Sequence, residues 1–204
     1  MRQMAGLRMK HAVIFAHPNS ESFVGSVASA YREEGLARGH EILFRDLYRM
    51  KFDPCLHESE IPWSAHFALR DDVLAERELL KDADVFAFFY PIWLNSPPAI
   101  LKGYLERVFG MGFAYRREAA GNAPLLIGKR LISFTSSGAP TEWVIQSGAW
   151  QAMRTLFDGH FAAVCGLQLV DHVHFGGVVP GIRADSVESD METTRKTFVK
   201  HFGG

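Results

Sequence analysis

The apolar run Val85–Phe89 (VFAFF) constrains the fold more than any other part of this sequence. A strand with one face toward water alternates apolar and polar residues, but this run contains no polar residue. Continuous apolar runs are typical of parallel strands that helices cover on both faces. The sequence therefore predicts an α/β fold in which this segment is a buried strand.

Hydrophobic periodicity predicts four more strands and five helices. The other strands are His11–Ala16, His40–Arg45, Arg130–Thr135 and a segment near Leu167–Phe175. The predicted helices are one that begins near Phe23, one at Asp71–Lys81 with Val73, Leu74, Leu79 and Leu80 as its apolar face, one at Pro97–Phe109, one within Thr141–Val164, and a last one with Val187, Met191, Thr194, Phe198 and Phe202 on one side.

Strands that alternate with helices in this way require right-handed crossovers and a doubly wound parallel sheet. Because there are only five strands, we expect the flavodoxin-like order 2-1-3-4-5 rather than the dinucleotide-fold order. The expected architecture is a three-layer sandwich with helices on both faces of the sheet. We expect one domain over residues 1–204, with residues 1–9 as a disordered leader.

Charge and cysteine content narrow the range of functions. The 22 Lys and Arg residues nearly balance the 23 Asp and Glu residues, which argues against a protein built mainly to bind nucleic acid. Two cysteines, Cys55 and Cys165, are too few for a disulfide framework, and no apolar run reaches the roughly 20 residues that span a bilayer. We therefore expect a cytoplasmic protein with small molecules or proteins as partners.

Three polar loops, at 17–23, 91–97 and 135–142, follow predicted strands. The carboxyl ends of parallel strands meet at one edge of the sheet, so we expect these loops to form one ligand site. The first loop precedes a helix N-terminus, which favours an anion, but it lacks the glycine patterns of dinucleotide and nucleoside-triphosphate sites. The alternative is that Ser20 or Ser22 only caps the helix.

The second loop lies in the segment YPIWLNSPPAILKGYLERVF at Tyr90–Phe109. We expect Ser96 to cap the helix, with Pro97 and Pro98 in the first turn, where amides have no helical partner. Backbone amides around Trp93–Ser96 then stay unpaired beside apolar side chains, which suits a flat ligand with polar edges. The alternative is a packed strand and helix that bind no ligand.

In the third loop, Thr135–Thr141, a glycine and small hydroxyl residues allow a ligand to approach the backbone. An ordinary turn explains this loop about as well.

The sequence resembles the flavodoxin-like NAD(P)H dehydrogenases (quinone) over most of its length. The resemblance rests on AHPNSESF at 16–23, KFDPCL at 51–56, AERELLKDADVFAFFYPIW at 75–93, SPPAILKGYLERVFGMGFAY at 96–115, TSSGAP at 135–140 and CGLQ at 165–168. It implies a homodimer that binds FAD or FMN between its subunits. It also implies ping-pong, two-electron hydride transfer from NADH or NADPH to a quinone or a related electrophile.

The resemblance also implies which residues contact the flavin. They are His17, Ser22 and Phe23 at the phosphate-bearing chain, Pro91, Ile92, Trp93, Leu94 and Asn95 along the isoalloxazine, and Thr135, Ser136, Ser137 and Gly138 at the pyrimidine end. Trp143 and Ala149 stand where animal quinone reductases carry a tyrosine and a histidine, so no tyrosine–histidine relay is expected. We assign Trp143 to the wall of the acceptor pocket, with simple packing as the alternative.

Three further polar features carry their own expectations. Arg77 replaces a glutamine that is common in the family, and it either pairs with a flavin phosphate or is a solvated helix residue. His172 and His174 share one face of a predicted strand, but without a third ligand we expect no metal site. The long connection Asp46–Arg70 is expected to be a flap near the site or the dimer interface.

The sequence is also compatible with two alternative functions. One is a regulatory subunit that resembles the ancillary flavoproteins of potassium-efflux systems. The other is a flavodoxin-type electron carrier, although the near-neutral net charge argues against it.

Overall fold

The computed structural model describes residues 8–119 and 121–203, so residues 1–7 of the predicted leader lie outside the described part. Met9 is buried, and its backbone N–H donates to His40 Nδ1 over 3.4 Å. The expectation of a disordered leader is therefore wrong for Met9, because this residue packs at the start of the sheet.

The described residues form seven strands and seven helices. The strands are β1 (Lys10–Phe15), β2 (Glu41–Asp46), β3 (Val85–Pro91), β4 (Tyr115–Glu118), β5 (Gly121–Pro124), β6 (Arg130–Ser136) and β7 (Gln168–Phe175). The helices are α1 (Phe23–Ala37), α2 (Asp71–Leu80), α3 (Ala99–Val108), α4 (Thr141–Gln146), α5 (Ala149–Met153), α6 (His160–Cys165) and α7 (Ala184–Phe202). A 3₁₀ turn lies at Glu58–Glu60, and a π-helical turn at Arg154–Gly159 joins α5 to α6.

Five strands form a parallel sheet in the order β2-β1-β3-β6-β7. Counted along this sheet, the order is 2-1-3-4-5, which confirms the predicted flavodoxin-like topology. The carboxyl ends of β1, β3 and β6 therefore lie side by side at one edge of the sheet.

Strand β3 is buried on both faces, as its composition predicted. Phe86, Phe88 and Tyr90 pack with α2, α3 and α6 on one face. Val85 and Phe89 pack with α1 and α7 on the other face. All five side chains are fully buried, which confirms that helices cover both sides of the central strand.

The apolar face predicted for α2 is only half correct. Val73 and Leu80 are buried, whereas Leu74 and Leu79 are 50% and 42% exposed. The third buried position of the helix is Glu76, whose carboxylate is held by the Arg45 guanidinium. A short helix on a sheet buries a narrow stripe at positions i, i+3 and i+7, and here the middle position is charged and paired.

The second half of the chain differs from the prediction in two places. Strands β4 and β5 form an antiparallel hairpin that was not predicted, because their residues are mostly polar and exposed and show no alternation. The helix expected within Thr141–Val164 is divided into short pieces. Gly148, in the left-handed region with φ 76°, separates α4 from α5.

Helix α3 packs on the core through Leu101, Tyr104 and Val108, and its glycine permits close packing. A Cβ at Gly103 would lie 2.1 Å from the Pro54 carbonyl oxygen. Lys102 and Glu106 form an exposed ion pair. In the part of the chain that the structure describes, no helix has both the length and the apolar character that crossing a bilayer requires.

Candidate active site

A cleft of about 180 Å³ lies where β1, β3 and β6 end. It is lined by His17, Ser22, Phe23, Val24, Pro91, Ile92, Trp93, Ser136, Ser137, Gly138 and Val178. Nine of these eleven residues belong to the set that the family resemblance implied as flavin contacts. Parallel strand order thus brings all three loops to one place, as the fold rule requires.

The first loop wraps the N-terminus of α1. Ser22 is the N-cap, and its Oγ accepts from the Gly25 N–H over 3.2 Å, so the capping interpretation holds for Ser22. Ser20 instead accepts a hydrogen bond from Arg49 over 2.8 Å. The first amides of a helix have no helical acceptors, and Phe23 and Val24 carry such amides to the cleft. This end of the cleft is suited to an anion.

His17 combines structural and site roles. Its Nδ1 atom lies 3.0 Å from the backbone nitrogen of Asn19 and 2.9 Å from the Asn19 carbonyl oxygen. The ring centroid is 5.8 Å from that of Trp93. The backbone of the first loop therefore fixes one ring nitrogen, and the imidazole lies beside the aromatic wall of the second loop.

The second loop is a tight turn, which corrects two expectations. Trp93 and Ser96 exchange two backbone hydrogen bonds of 3.0 Å, so their amides are paired, and Ser96 does not cap the helix. The residue at the N-cap of α3 is Pro98. Leu94 and Asn95 have φ values of 50° and 56°, a conformation that is uncommon for non-glycine residues and occurs often at functional sites.

Leu94 and Asn95 are not among the residues that line the cleft, so their assignment along the ring stays a prediction. Leu94 is fully exposed at the tip of the turn. The Asn95 amide donates to the Ala149 carbonyl over 3.4 Å, which connects the turn to α5. The turn projects both side chains outward, so the cleft wall consists of Pro91, Ile92 and Trp93.

The third loop places its backbone along the cleft. The Ile92 N–H donates to the Ser136 carbonyl over 2.7 Å, which joins the second and third loops. A Cβ at Gly138 would make only ordinary contacts, the nearest 3.8 Å from the Val178 carbonyl oxygen. The packing of the protein itself does not require glycine here, and Gly138 lines the cleft.

Thr135 does not line the cleft, because it belongs to a buried polar cluster behind it. Its Oγ1 lies 2.8 Å from His172 Nε2 and 3.0 Å from His174 Nδ1. On the far side of His172, Nδ1 lies 2.5 Å from Asp158 Oδ2. Burial, followed by the nearby His172, lowers the pKa of His174 to about 4.

The two histidines of this cluster were predicted from the sequence to lie together. His172 and His174 share a strand face, as predicted, but their partners are hydroxyls and one carboxylate. Among the described residues, no group of three or more His, Cys, Asp or Glu is placed to hold a metal ion. Asp158 gave no signal, because the π-helical turn that points it inward cannot be read from a 3.6-residue period.

Trp143 lies on α4, is 59% exposed and is not among the residues that line the cleft. Its assignment to an acceptor pocket stays a prediction. Trp150 packs behind the cleft, with its ring centroid 4.8 Å from that of His172.

Neither interpretation of Arg77 is correct. Its guanidinium donates to the backbone carbonyls of Val108, Met111 and Arg107 over 2.8, 3.0 and 3.1 Å. The last carbonyls of a helix have no helical donors, so Arg77 acts as a C-terminal cap for α3. It is partly buried rather than solvated, and the cleft is lined by other residues.

A larger cavity of about 320 Å³ lies between α3 and the long connection, and its walls include Trp63, Phe67 and Arg77. None of the three strand-end loops contributes to it. We therefore take the smaller cleft, where polar backbone and aromatic walls meet, as the candidate active site.

Comparisons with known proteins agree with this geometry. Residues 9–202 match the family with a flavodoxin-like fold. A relative from Haemophilus influenzae, named as an uncharacterized NAD(P)H oxidoreductase, is 33% identical, with 83% of this chain and 85% of the relative covered. NAD(P)H dehydrogenase [quinone] 1 of Cavia porcellus is 31% identical, with 82% and 68% covered.

Among solved structures, the NAD(P)H:quinone oxidoreductase from Methanothermobacter marburgensis has a TM-score of 0.85 and 31% identity, with 94% of this chain and 98% of that chain covered. The fold, the cleft and these similarities lead to one assignment. The chain belongs to the flavodoxin-like family of NAD(P)H quinone oxidoreductases.

Proposed function

We propose that this protein is a flavin-dependent NAD(P)H:quinone oxidoreductase. In this proposal it binds FAD or FMN and catalyses ping-pong, two-electron hydride transfer from NADH or NADPH to a quinone or a related electrophile. The observation that carries the proposal is the cleft itself, which unites a capped helix N-terminus, an aromatic wall and a loop with a glycine that packing does not require.

The residues of the cleft are suited to a flavin. The N-terminus of α1, at Phe23 and Val24, supplies amides and a positive dipole end for the phosphate-bearing chain. Trp93 and Ile92 supply a wall on which a flat ring stacks. The backbone of Gly138 borders the opposite side, where its N–H stabilises negative charge on a bound ring. A bound flavin supplies the redox chemistry, because it takes up and releases a hydride.

The protein's own contribution is mainly to position two rings in turn. A ping-pong reaction uses the same space for the nicotinamide and the quinone, so the wall must remain rigid while ligands exchange. The Ile92–Ser136 and Trp93–Ser96 backbone hydrogen bonds provide this rigidity. The positive φ values of Leu94 and Asn95 keep their side chains out of the cleft.

A homodimer and a cytoplasmic location are parts of the same proposal. Exposed apolar side chains near the second loop and the π-helical turn support a subunit interface on that side, among them Leu94, Trp143, Ile145 and Leu156. Both cysteines are unpaired, with Cys55 exposed and Cys165 buried, as expected in a reducing compartment.

The direct test is to purify the protein, release its cofactor by heat and identify it as FAD or FMN. The flavin-free protein is then titrated with both flavins. Trp93→Ala should raise the Kd for flavin about tenfold or more, because it removes a stacking wall. Ile127→Ala is the control, since Ile127 is 74% exposed just before β6, at the other end of that strand, and should not alter the Kd.

A protein that is colourless and binds neither flavin would refute the proposal. Oxidation of NADH or NADPH that depends on an added quinone distinguishes the enzyme from the alternatives. In a regulatory subunit, binding to a transporter would replace this turnover, and an electron carrier would transfer single electrons to a partner protein.

A further inference from the structure

Five side chains form a continuous line of hydrogen bonds from the cleft into the protein interior. Ser137 lines the cleft, and its Oγ lies 3.1 Å from His174 Nε2. Thr135 Oγ1 bridges His174 Nδ1 and His172 Nε2 over 3.0 and 2.8 Å. The line ends where His172 Nδ1 lies 2.5 Å from Asp158 Oδ2, with both side chains fully buried.

The proton positions along this line are strongly constrained. When the Asp158 carboxylate is ionised, His172 donates to it through Nδ1–H and accepts the Thr135 hydroxyl proton at Nε2. Thr135 then accepts from His174 Nδ1–H, and His174 Nε2 accepts the Ser137 hydroxyl proton. Each of the other four groups donates once, and every hydrogen bond points toward the carboxylate.

A second arrangement reverses the whole line. The Ala139 carbonyl oxygen lies 2.9 Å from Ser137 Oγ and can take the serine proton instead. His174 then donates to Ser137 through Nε2–H, and the hydroxyl of Thr135 and the ring of His172 turn their protons outward in the same way. The reversed line holds one more proton, which lies between His172 Nδ1 and Asp158.

We propose that this line of side chains is a proton relay between the buried Asp158–His172 pair and the cleft. The inference rests on the proposed function. Reduction of a quinone by NAD(P)H consumes one hydride, taken from the nicotinamide, and one proton, and yields NAD(P)⁺ and the hydroquinone. The relay supplies that proton through Ser137 while ligands fill the cleft, and water reloads it when the cleft is open. No relay residue is oxidised or reduced.

The surroundings isolate the relay from bulk water and from competing donors. The Trp150 ring covers both imidazoles, with its centroid 4.8 Å from His172 and 5.5 Å from His174. Arg154 lies over the outer side of that indole, 5.8 Å from its centroid. Among the described residues, the line through His172, Thr135 and His174 gives a proton that leaves Asp158 an uninterrupted hydrogen-bonded path to Ser137 in the cleft.

The other polar side chains near the relay are hydrogen-bonded, ion-paired or uncharged. From β6, Ser133 Oγ donates to Asp158 Oδ1 over 3.3 Å. The Tyr90 hydroxyl faces this region from β3, and burial, followed by the Asp158 charge, raises its pKa, so it stays protonated. Asp171, next to His172 in sequence, is paired with Lys200 and His201.

The lowered pKa of His174 fits a residue that transmits protons and does not store them. Burial and the neighbouring His172 disfavour a second proton on its ring. An arriving proton at Nε2 is therefore passed on from Nδ1 to Thr135. The store is the pair at the end of the line, where a carboxylate compensates the added charge.

The first test follows the two imidazoles directly, by ¹⁵N NMR of the oxidised flavin-bound protein between pH 4 and pH 10. His172 and His174 should move their relay protons between Nδ1 and Nε2 together, at one common midpoint. Thr135→Val removes the bridge and should separate the two transitions. Separate midpoints in the wild type, or no transition at all, would overturn the relay regardless of any activity.

The second test measures the two half-reactions by stopped flow. In Thr135→Val, quinone reduction should slow by about a hundredfold more than flavin reduction by NAD(P)H, because only the former needs the proton. Thr194→Val, which removes a fully buried hydroxyl on α7, is the matched control and should change neither rate. Equal effects on both half-reactions would mean that the line is only structural.

Ser137→Ala provides a second interruption at the cleft end if Thr135→Val does not fold. It should also slow quinone reduction selectively and leave the buried imidazole signals in place. Failure of the wild type to be reduced by NAD(P)H would refute the proposed function, while the NMR transitions would still decide whether the relay exists.

Discussion

Arg107 and Glu60 form a buried bidentate ion pair, with Nε 2.8 Å from Oε2 and Nη2 2.7 Å from Oε1. Arg107 also contacts Asp72 and the Asp53 carbonyl. Although burial opposes it, hydrogen bonding to Arg107 lowers the pKa of Glu60. One guanidinium on α3 thus holds the long connection at Asp53 and Glu60 and the start of α2 at Asp72, so the segment that was expected to be a flap is anchored to α3.

Replacement of Arg107 by methionine should therefore destabilise the protein strongly. The apolar stem is kept, but the Glu60 carboxylate remains buried without its cationic partner, which costs about 3 to 5 kcal/mol. The free energy of unfolding in urea measures this loss. Arg116→Met is the control, because its exposed pair with Glu118 should contribute less than about 1 kcal/mol. Similar losses of unfolding free energy in both variants would show that the buried pair with Glu60 stabilises the protein no more than an exposed pair does.

Gly25 determines how closely the first loop approaches α1. A Cβ at this position would lie 2.2 Å from the Ser20 carbonyl oxygen, so Gly25→Ala must push the loop away from the helix. The Kd for flavin should rise about tenfold or more, because the loop carries the phosphate-binding end of the cleft. Fluorescence titration of the flavin-free variant measures the change.

Gly35→Ala is the matched control in the same helix. Its Cβ would lie 2.8 Å from Ile42 Cδ1, the flexible end of a side chain, and 3.1 Å from the Phe198 ring. We expect a loss of stability with little change in flavin affinity. Equal affinities of the two variants would contradict the role assigned to the Ser20 contact.

Sequence patterns predicted the features that depend on one strand or one helix at a time. The run Val85–Phe89 predicted a strand buried on both faces, and the sheet order followed from connection rules. The three loops were located because each follows a strand, and nine of their residues line the cleft. These features need only local periodicity and the handedness of crossovers.

The rest depends on contacts that periodicity does not encode. The tight turn at Leu94 and Asn95 contains no glycine, so its positive φ values could not be anticipated. Asp158 is turned inward by a π-helical turn, and Arg107 meets Glu60 across 47 residues of sequence. Such long-range polar pairs leave no periodic signal, and they determine how the connection and the relay are held.

Arg77→Met should separate structural capping from cofactor binding. The substitution leaves the final carbonyls of α3 without their donor, and the free energy of unfolding should fall by about 2 kcal/mol or more. The Kd for flavin should stay within about twofold of the wild-type value, since other residues line the cleft. Arg117→Met, on the exposed hairpin, is the control for stability. If the flavin affinity of Arg77→Met fell as far as that of Trp93→Ala, the interpretation of Arg77 as a contact of the flavin phosphate would be correct after all.

His11 is the residue from which we expect the clearest dependence of stability on pH. Its Nδ1 lies 2.8 Å from the Tyr31 hydroxyl, its Nε2 lies 3.1 Å from His40 Nδ1, and its ring stacks on Phe198. Burial, followed by the His40 and Arg130 charges, lowers the pKa of His11 to about 3. The folded state thus binds the proton on this ring far less readily than the unfolded chain does.

The unfolded chain takes up a proton at His11 below about pH 6.5, whereas the folded state resists it down to about pH 3. The stability due to neutral His11 is therefore complete above about pH 6.5 and is lost as the pH falls, with a slope of up to about 1.4 kcal/mol per pH unit. His11→Gln should remove this slope from urea unfolding free energies between pH 7 and about pH 5, although His174, with a pKa lowered to about 4, keeps a slope of its own. The exposed His66→Gln variant should keep the wild-type curve. An unchanged slope in His11→Gln would mean that His11 is not the group that takes up this proton on unfolding.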